Sequence, residues 1–452
     1  MMLGGSSIMK ACQFTMLFLL AIALVMAITM QSAYGYDNDI SHPDIALVAV
    51  TKSQLDNYLK SSMSISNGIR GALPYMGEGL LPIRQIIQKG SAIEDLPICR
   101  ASNHFHNPLQ PWYKAGLKVI FGHMCPLWIP QDALYRYSNL TWATGYLTAP
   151  PLGQKASFTL NPEFAPNTWD KARQYFHTAL SAPTTTDRNI GFANTFQALG
   201  QTIHLLQDMA VPAHVRDDFF VSHIFAEHQN YTGEIGNPYE LFVKAHPDDM
   251  NTIMLAQQIK PVLTEPRVTD YWDTVRMTEL LMNASLRPSA GLSEYTNANF
   301  LSERTRFTDN FPQPRKEDTE IAVINIQDPF DSALFVPRKY YRKNGGWDTG
   351  YLLSAVYSDD YYNPNPPALE TYVPPITLPL FDNTVHLNYA QKLLPRAVGY
   401  SAALLDYFFR GKLDLIQNEA GPGYIIVNRT NEPMSGEFRI FTDDDAGNRA
   451  QI

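Results

Sequence analysis

Apolar residues return every three or four positions along several stretches of the chain, and each such stretch predicts a helix. The period is helical over 44–88, with a Gly/Pro break at GALPYMGEGLLP, and again over 168–180 in TWDKARQYFHTAL. It is strongest over 188–209, where Ile190, Phe196, Leu199, Ile203 and Leu206 recur at helical spacing. Thr186 or Asp187 is placed to cap that helix, and Pro212 to stop it. Further helices are predicted at 249–263 and 273–286. Over 287–384 the period gives way to a segment rich in proline and aromatics, which reads as ordered irregular structure or a long insertion. It returns over 388–411, interrupted at Pro395, as a closing helix. Beyond NEAGPG, GYIIVNRT and GEFRIFTDD predict two strands. A two-stranded unit is marginal alone, so it either docks on the core or opens a further β-domain.

The expected organisation is a mainly α protein with its helical core at 36–286. A Pro/aromatic-rich insertion follows at 287–384, a closing helix at 385–412 and a β-rich segment at 420–452. Residues 1–35 read as a leader. Lys10 precedes the apolar run FTMLFLLAIALVMAITM, and Ala33 and Gly35 sit at signal-peptidase spacing. Cleavage there makes Tyr36 the first residue and sends the protein to a secreted or periplasmic location. Cys99 and Cys125 would then meet an oxidising compartment, either as a disulfide or as two buried thiols.

Composition narrows the chemistry. With 45% hydrophobic and 17% charged residues the chain can bury a large core. A net charge of −9 argues against gripping duplex nucleic acid, which calls for a basic surface. The eleven histidines are unevenly spread, and four fall within IHLLQDMAVPAHVRDDFFVSHIFAEH. His204 and Asp208 are one helical turn apart and project from one face. His214 follows Pro212 directly, and His223 and Glu227 repeat the four-residue spacing. Imidazole and carboxylate in two such pairs, joined by a turn carrying a fifth donor, suit a polynuclear zinc site. A carboxylate on an otherwise apolar helix face is costly unless paired or coordinated. Upstream, EDLPICRASNHFHNP offers Asp95 and His104, with Glu94 and His106 beside them, and SHPDIA offers His42. There is no HExxH, no Gly-rich phosphate loop and no GxSxG elbow.

These residues, in this order, resemble the signature of the zinc-dependent phospholipase C family, which shares its fold with the fungal single-strand-specific nucleases. His204, Asp208, Pro212 and His214 match the central motif, His223 and Glu227 the following HxxxE, Asp95 and HFHNP the upstream motif, and Ser41 and His42 the early Ser-His. The resemblance covers about 36–240 and extends to the closing helix. It departs at Leu205, Ala210 and Asp217, and Glu94 is the alternative to Asp95 as a ligand.

The resemblance implies three zinc ions. Asp95, His104, His204 and Asp208 would hold the first, and His214, His223 and Glu227 the second. His42, a bridging Asp208 and the main-chain amine and carbonyl of Tyr36 would hold the third. It implies hydrolysis of a phosphodiester by a zinc-bound water, with Asp95 as the catalytic carboxylate. The expected substrate is a phospholipid, with contact to a membrane surface. One alternative is a single-strand-specific nuclease, which would stack bases on aromatics such as Phe105, Trp112, Phe219 and Phe220. Another is a non-catalytic surface or binding protein stabilised by zinc.

Overall fold

The computed structural model describes residues 40–96, 98–118 (side chains of 98 and 99 excepted), 137–149, 153–157, 166–218, 237–327, 333–356 and 380–452. The leader 1–35, Tyr36, Cys125, Phe219, Phe220, His223, Glu227 and the proline-rich 357–379 lie outside these residues, as does the Cys99 side chain. Among the described residues about 47% are helical and 14% strand, so the structure is mixed in class with helix dominant and several small separate sheets.

The stretch 44–88 forms α1 (Ser41–Lys52), α2 (Leu55–Ser62) and α3 (Ile83–Ala92). Its Gly/Pro break is a short antiparallel hairpin, β1 (Ala72–Pro74) against β2 (Leu80–Pro82), with Leu73 opposite Leu81. Ser138 caps α4 (Asn139–Thr144), and Thr168 caps α5 (Trp169–Ser181) by accepting from the Lys171 amide. The strongest predicted helix is α6 (Thr185–Asp208). It starts earlier than the sequence suggests because Thr184 is the cap. The Thr184 hydroxyl accepts from the Asp187 amide and donates to the Asp187 carboxylate. Phe196, Leu199, Ile203 and Leu206 are buried as expected, but Ile190 is 45% exposed. Burial is complete only from Ala198 onward, where α6 is enclosed on every side.

Two glycines set how closely α6 meets α3. A Cβ at Gly200 would collide with the Ile87 carbonyl, and one at Gly90 with the Gln197 carbonyl. The two backbones therefore pack in near contact at the turn that precedes His204.

Pro212 opens a short helix, α7 (Pro212–Val215), and α8 (Pro238–Ala245) and α9 (Pro247–Ala256) also begin with proline. The predicted helix at 249–263 thus ends early. Beyond it the Ile259 amide donates to the carbonyl of Pro395. The predicted helix at 273–286 shrinks to α10 (Met277–Met282) and a 3-10 turn, Ala284–Ser289. Glu294 accepts from the amides of Thr274 and Arg276, and Val275 has φ of 61°, which a helix cannot accommodate.

The stretch 287–384 is more regular than its composition suggests. It contains α11 (Leu292–Asn299), buried throughout, and an antiparallel sheet of β3 (Thr319–Gln327), β4 (Phe335–Lys343) and β5 (Leu352–Ala355). Strand alternation was obscured because β4 buries two cations. Arg338 pairs with Asp382 at 2.5 Å, and Lys343 donates to Asn299 at 2.5 Å.

The closing helix α12 (Asn383–Phe408) runs unbroken through Pro395 and packs on α1, α6 and α9. Gly399 gives the Ile259 backbone room to approach. The C-terminal segment forms two hairpins, β6 (Leu413–Gln417) with β7 (Tyr424–Asn428) and β8 (Phe441–Asp443) with β9 (Arg449–Gln451). The second is tied to the core by Arg188 donating to the Gly447 carbonyl and Arg449 to that of Leu180.

The close approach at Gly200 gives the first test. Alanine gains about 1 kcal/mol of helix propensity over glycine. Here it must also displace backbone, so Gly200→Ala is expected to destabilise by a net ~1–3 kcal/mol. Urea denaturation reads this directly, and an unchanged midpoint would mean that the α3–α6 contact has slack.

Candidate metal centre

Four separate parts of the chain deliver the site. The last turn of α6 presents His204 and Asp208 on one face, and α7 presents His214 just past the helix end. The first turn of α1 presents His42, and the loop and 3-10 turn after α3 present Asp95 and His104. All six are buried, with at most 2% of each exposed.

Asp208 lies at the middle. Its Oδ2 is 2.9 Å from His104 Nδ1 and 3.8 Å from His204 Nε2. Its Oδ1 is 3.4 Å from His42 Nε2 and 3.7 Å from His214 Nδ1. Asp95 approaches from the other side, 3.1 Å from His104 Nδ1 and 3.5 Å from His204 Nε2. Two sets of donor atoms lie close enough to share a cation: His42, His204 and Asp208, and Asp95, His104 and His204.

The imidazoles are oriented by their outer nitrogens. His204 Nδ1 donates to the Ser91 carbonyl at 2.7 Å, which leaves Nε2 unprotonated toward the carboxylates, where it accepts from His104 Nδ1 at 3.3 Å. His42 Nδ1 donates to the Gln207 side-chain oxygen at 2.7 Å, which leaves Nε2 unprotonated toward Asp208. The His42 and His204 rings stack at 3.7 Å. His214 Nδ1 donates to the His104 carbonyl at 3.1 Å, and its Nε2 points to Glu240 at 3.2 Å. His104 meets the carboxylates through Nδ1. The loop carrying it is pinned from both sides, because the His106 amide donates to the His214 carbonyl and the Asn139 amide to that of Phe105. Asn139 also donates to Asp208 Oδ2 at 3.2 Å, while its own oxygen accepts from Trp272.

Burial dominates the electrostatics. It holds His42 and His214 down at about 3, and His104 and His204 well below the usual imidazole value. All four are neutral, with lone pairs available. Burial also raises Asp208 well above the usual carboxylate range, reinforced by Asp95, Glu240 and Glu94. Among the described residues no lysine or arginine reaches Asp208, and neither its Oδ1 nor His104 Nε2 has a hydrogen-bond partner. Buried nitrogen and oxygen donors of this kind fit a borderline cation such as zinc.

Glu94 is engaged elsewhere. Arg100 donates to both its oxygens at 2.8 and 2.6 Å, and Trp142 donates to Oε1 at 2.9 Å. Asp95 is therefore the carboxylate offered to the site. His106 contacts Asp273 at 3.0 Å and supports the loop from behind. His386 is buried outside the cluster, and His177 is exposed.

Glu240 was missed in the sequence. It stands at the third position of α8, where an acid is ordinary for a helix start, and it follows Asn237 and Pro238 in a capping pattern. The signal that could have found it is Val243, one turn on and buried, which places Glu240 on the inward face. Gln207 and Asn139 were also missed, because amides that orient ligands leave no spacing motif.

In comparisons with known proteins, no family model, curated protein or solved structure matched the chain.

The buried imidazoles set a pH dependence for the metal-free protein. The unfolded chain protonates them near 6.5, whereas His42 and His214 resist to about 3 when folded. As pH falls through that window the unfolded state binds more protons, so stability falls. Asp208, Glu94, Glu294 and Glu303, all raised by burial, act in the opposite sense, so the imidazole contribution is read against a variant that lacks two of the imidazoles. Between pH 6.5 and about 4 the melting temperature of the chelator-stripped protein is expected to fall relative to that of the double variant His42→Asn, His214→Asn. Equal slopes in the two proteins would contradict this.

Proposed function

We propose that the chain is a zinc-dependent phosphodiester hydrolase of the phospholipase C-like kind, exported and completed by removal of its leader. One observation carries the reading. His42, Asp95, His104, His204, Asp208 and His214 come from separated segments into one buried cluster around Asp208. The order of those residues matches the motif order of the zinc-dependent phospholipases C and their nuclease relatives, and the helix-dominant architecture is compatible with that fold.

In this reading Asp95, His104, His204 and Asp208 would hold one zinc. His42 and Asp208 would hold another, joined by the amine and carbonyl of Tyr36. His214 would hold the third, with His223 and Glu227 offered by the motif and Glu240 by position. Bound zinc supplies Lewis acidity and cancels charge on a phosphoryl group. The chain's own residues do the rest. Ser91, Gln207 and the His104 carbonyl fix the imidazoles and Asn139 steadies Asp208, and Asp95 would orient the nucleophile and take its proton.

A phospholipid, met at a membrane surface, is favoured over single-stranded nucleic acid. Phe105 is 2% exposed and stacked on His214, and Trp112 is 3% exposed and donates to Asp273. Of the aromatics a nuclease of this type would use, these two offer no ring face to an unstacked base, and Phe219 and Phe220 lie outside the described residues.

The test is zinc content together with turnover of a chromogenic phosphocholine ester and of single-stranded DNA. About three zincs per chain and turnover of the ester are expected, the zinc count following the three-cation ligand set. Replacing an outer-shell partner typically costs 10–100-fold, so Asp208→Asn is expected to lower turnover at least ~100-fold with loss of zinc. Glu240→Gln is expected to lower the zinc count by one at unchanged fold. Full zinc with no turnover on either substrate would assign the cluster a structural role. A zinc-free protein would overturn the reading.

A further inference from the structure

A cavity lies beside α7 and is lined by none of the clustered ligands. Asp218, Asn237, Tyr239, Ser302, Glu303 and His386 line it. The space open to the centre of a water-sized sphere is about 20 Å³. That admits one small occupant, since a water needs roughly 10–15 Å³ on the same measure.

Two carboxylates in this cavity are short of donors. Asp218 is 3% exposed. Its Oδ2 accepts from the Arg304 amide at 3.0 Å, but its Oδ1 has no hydrogen-bond partner. Glu303 Oε1 is likewise shut off from solvent without a partner. The two repel. Burial and then Asp218 push the Glu303 carboxyl up to about 8, with Arg306 offsetting part of the effect. Buried carboxylate oxygens left in this state are costly unless something positive comes between them.

We propose that this cavity is a site for a single hard divalent cation of the calcium type, held by Asp218 and Glu303 with Ser302, Asn237 or water completing its oxygen shell. The donor chemistry decides the class. His386 lines the cavity, but among the described residues groups of three or more imidazole and carboxylate donors close enough to share a cation occur only at the centre around Asp208. A set of oxygens with water to fill gaps suits calcium, which takes six to eight oxygens in flexible geometry. Zinc prefers a closed tetrahedron.

Its position gives the site a consequence. The Asp218 amide donates to the Ala213 carbonyl, so the carboxylate is fixed to the turn that carries His214. Asn237 caps the helix that carries Glu240. A cation here would tie the turn of His214 to the start of α8 and hold His214 against Glu240.

The zinc-loaded full chain is titrated with Tb³⁺, whose emission Tyr239 and Tyr389 at the cavity wall would sensitise. Saturable emission that Ca²⁺ displaces is expected. In Asp218→Asn and in Glu303→Gln the affinity is expected to fall on the order of tenfold or more, because ligand charge tunes calcium affinity. Zinc content, measured alongside, is expected to stay at the wild-type value, which separates this site from the cluster around Asp208. Ca²⁺ is also expected to raise the melting temperature of the wild type but of neither variant. No calcium-displaceable emission, or equal emission in wild type and both variants, would overturn the proposal. Should neither variant fold, a wild-type melting temperature indifferent to Ca²⁺ would overturn it equally.

Discussion

Asp208 is a carboxylate buried at the end of a helix whose second half has no solvent-facing side, and it is met by imidazoles instead of cationic side chains. Neutral imidazole cannot offset the desolvation of a carboxylate as a lysine or arginine would. The arrangement makes physical sense as a receptacle for positive charge. Much of the surrounding structure serves to hold it. The glycines at 90 and 200 bring α3 onto α6 so closely that the Ser91 carbonyl reaches His204. Asn139 reaches from α4 to both Asp208 and the His104 carbonyl.

The same economy appears one layer out. Arg216, fully buried two residues after His214, donates to the carbonyls of Asn297, Phe300, Thr305 and Gln313 and to the Thr305 hydroxyl. Asn297 returns a bond to the Val215 carbonyl. Burial pulls Arg216 down to about 9, so it remains charged at neutral pH. The turn bearing His214 is thereby fastened to the segment after α11, which closes this side of the centre with hydrogen bonds in place of apolar contact. Such a network is exacting, because removing one partner strands several buried groups.

The sequence made part of this legible. Helical periodicity located α5, α6 and α12, and the i, i+4 spacing put His204 and Asp208 on one face. Asp95, His104, His42 and His214 join them in space as the motif order suggested, whereas Tyr36, His223 and Glu227 lie outside the described residues. What periodicity could not read has identifiable causes. The strand β4 buries Arg338 and Lys343, so its hydrophobic alternation fails. Pro395 reads as a helix break, yet its carbonyl accepts from Ile259 and the helix continues. Glu240 looks like an ordinary helix-start acid until α8 is seen to face His214. Asn139 and Gln207 act by orienting other side chains, a role that carries no spacing of its own.

The most direct measurement is anomalous diffraction at the zinc edge from crystals of the zinc-loaded protein. The account predicts strong peaks flanking Asp208, one between Asp95, His104 and His204 and one beside His42, with a third near His214 and Glu240. Histidines and carboxylates in the positions described here, with no anomalous density among them, would contradict it.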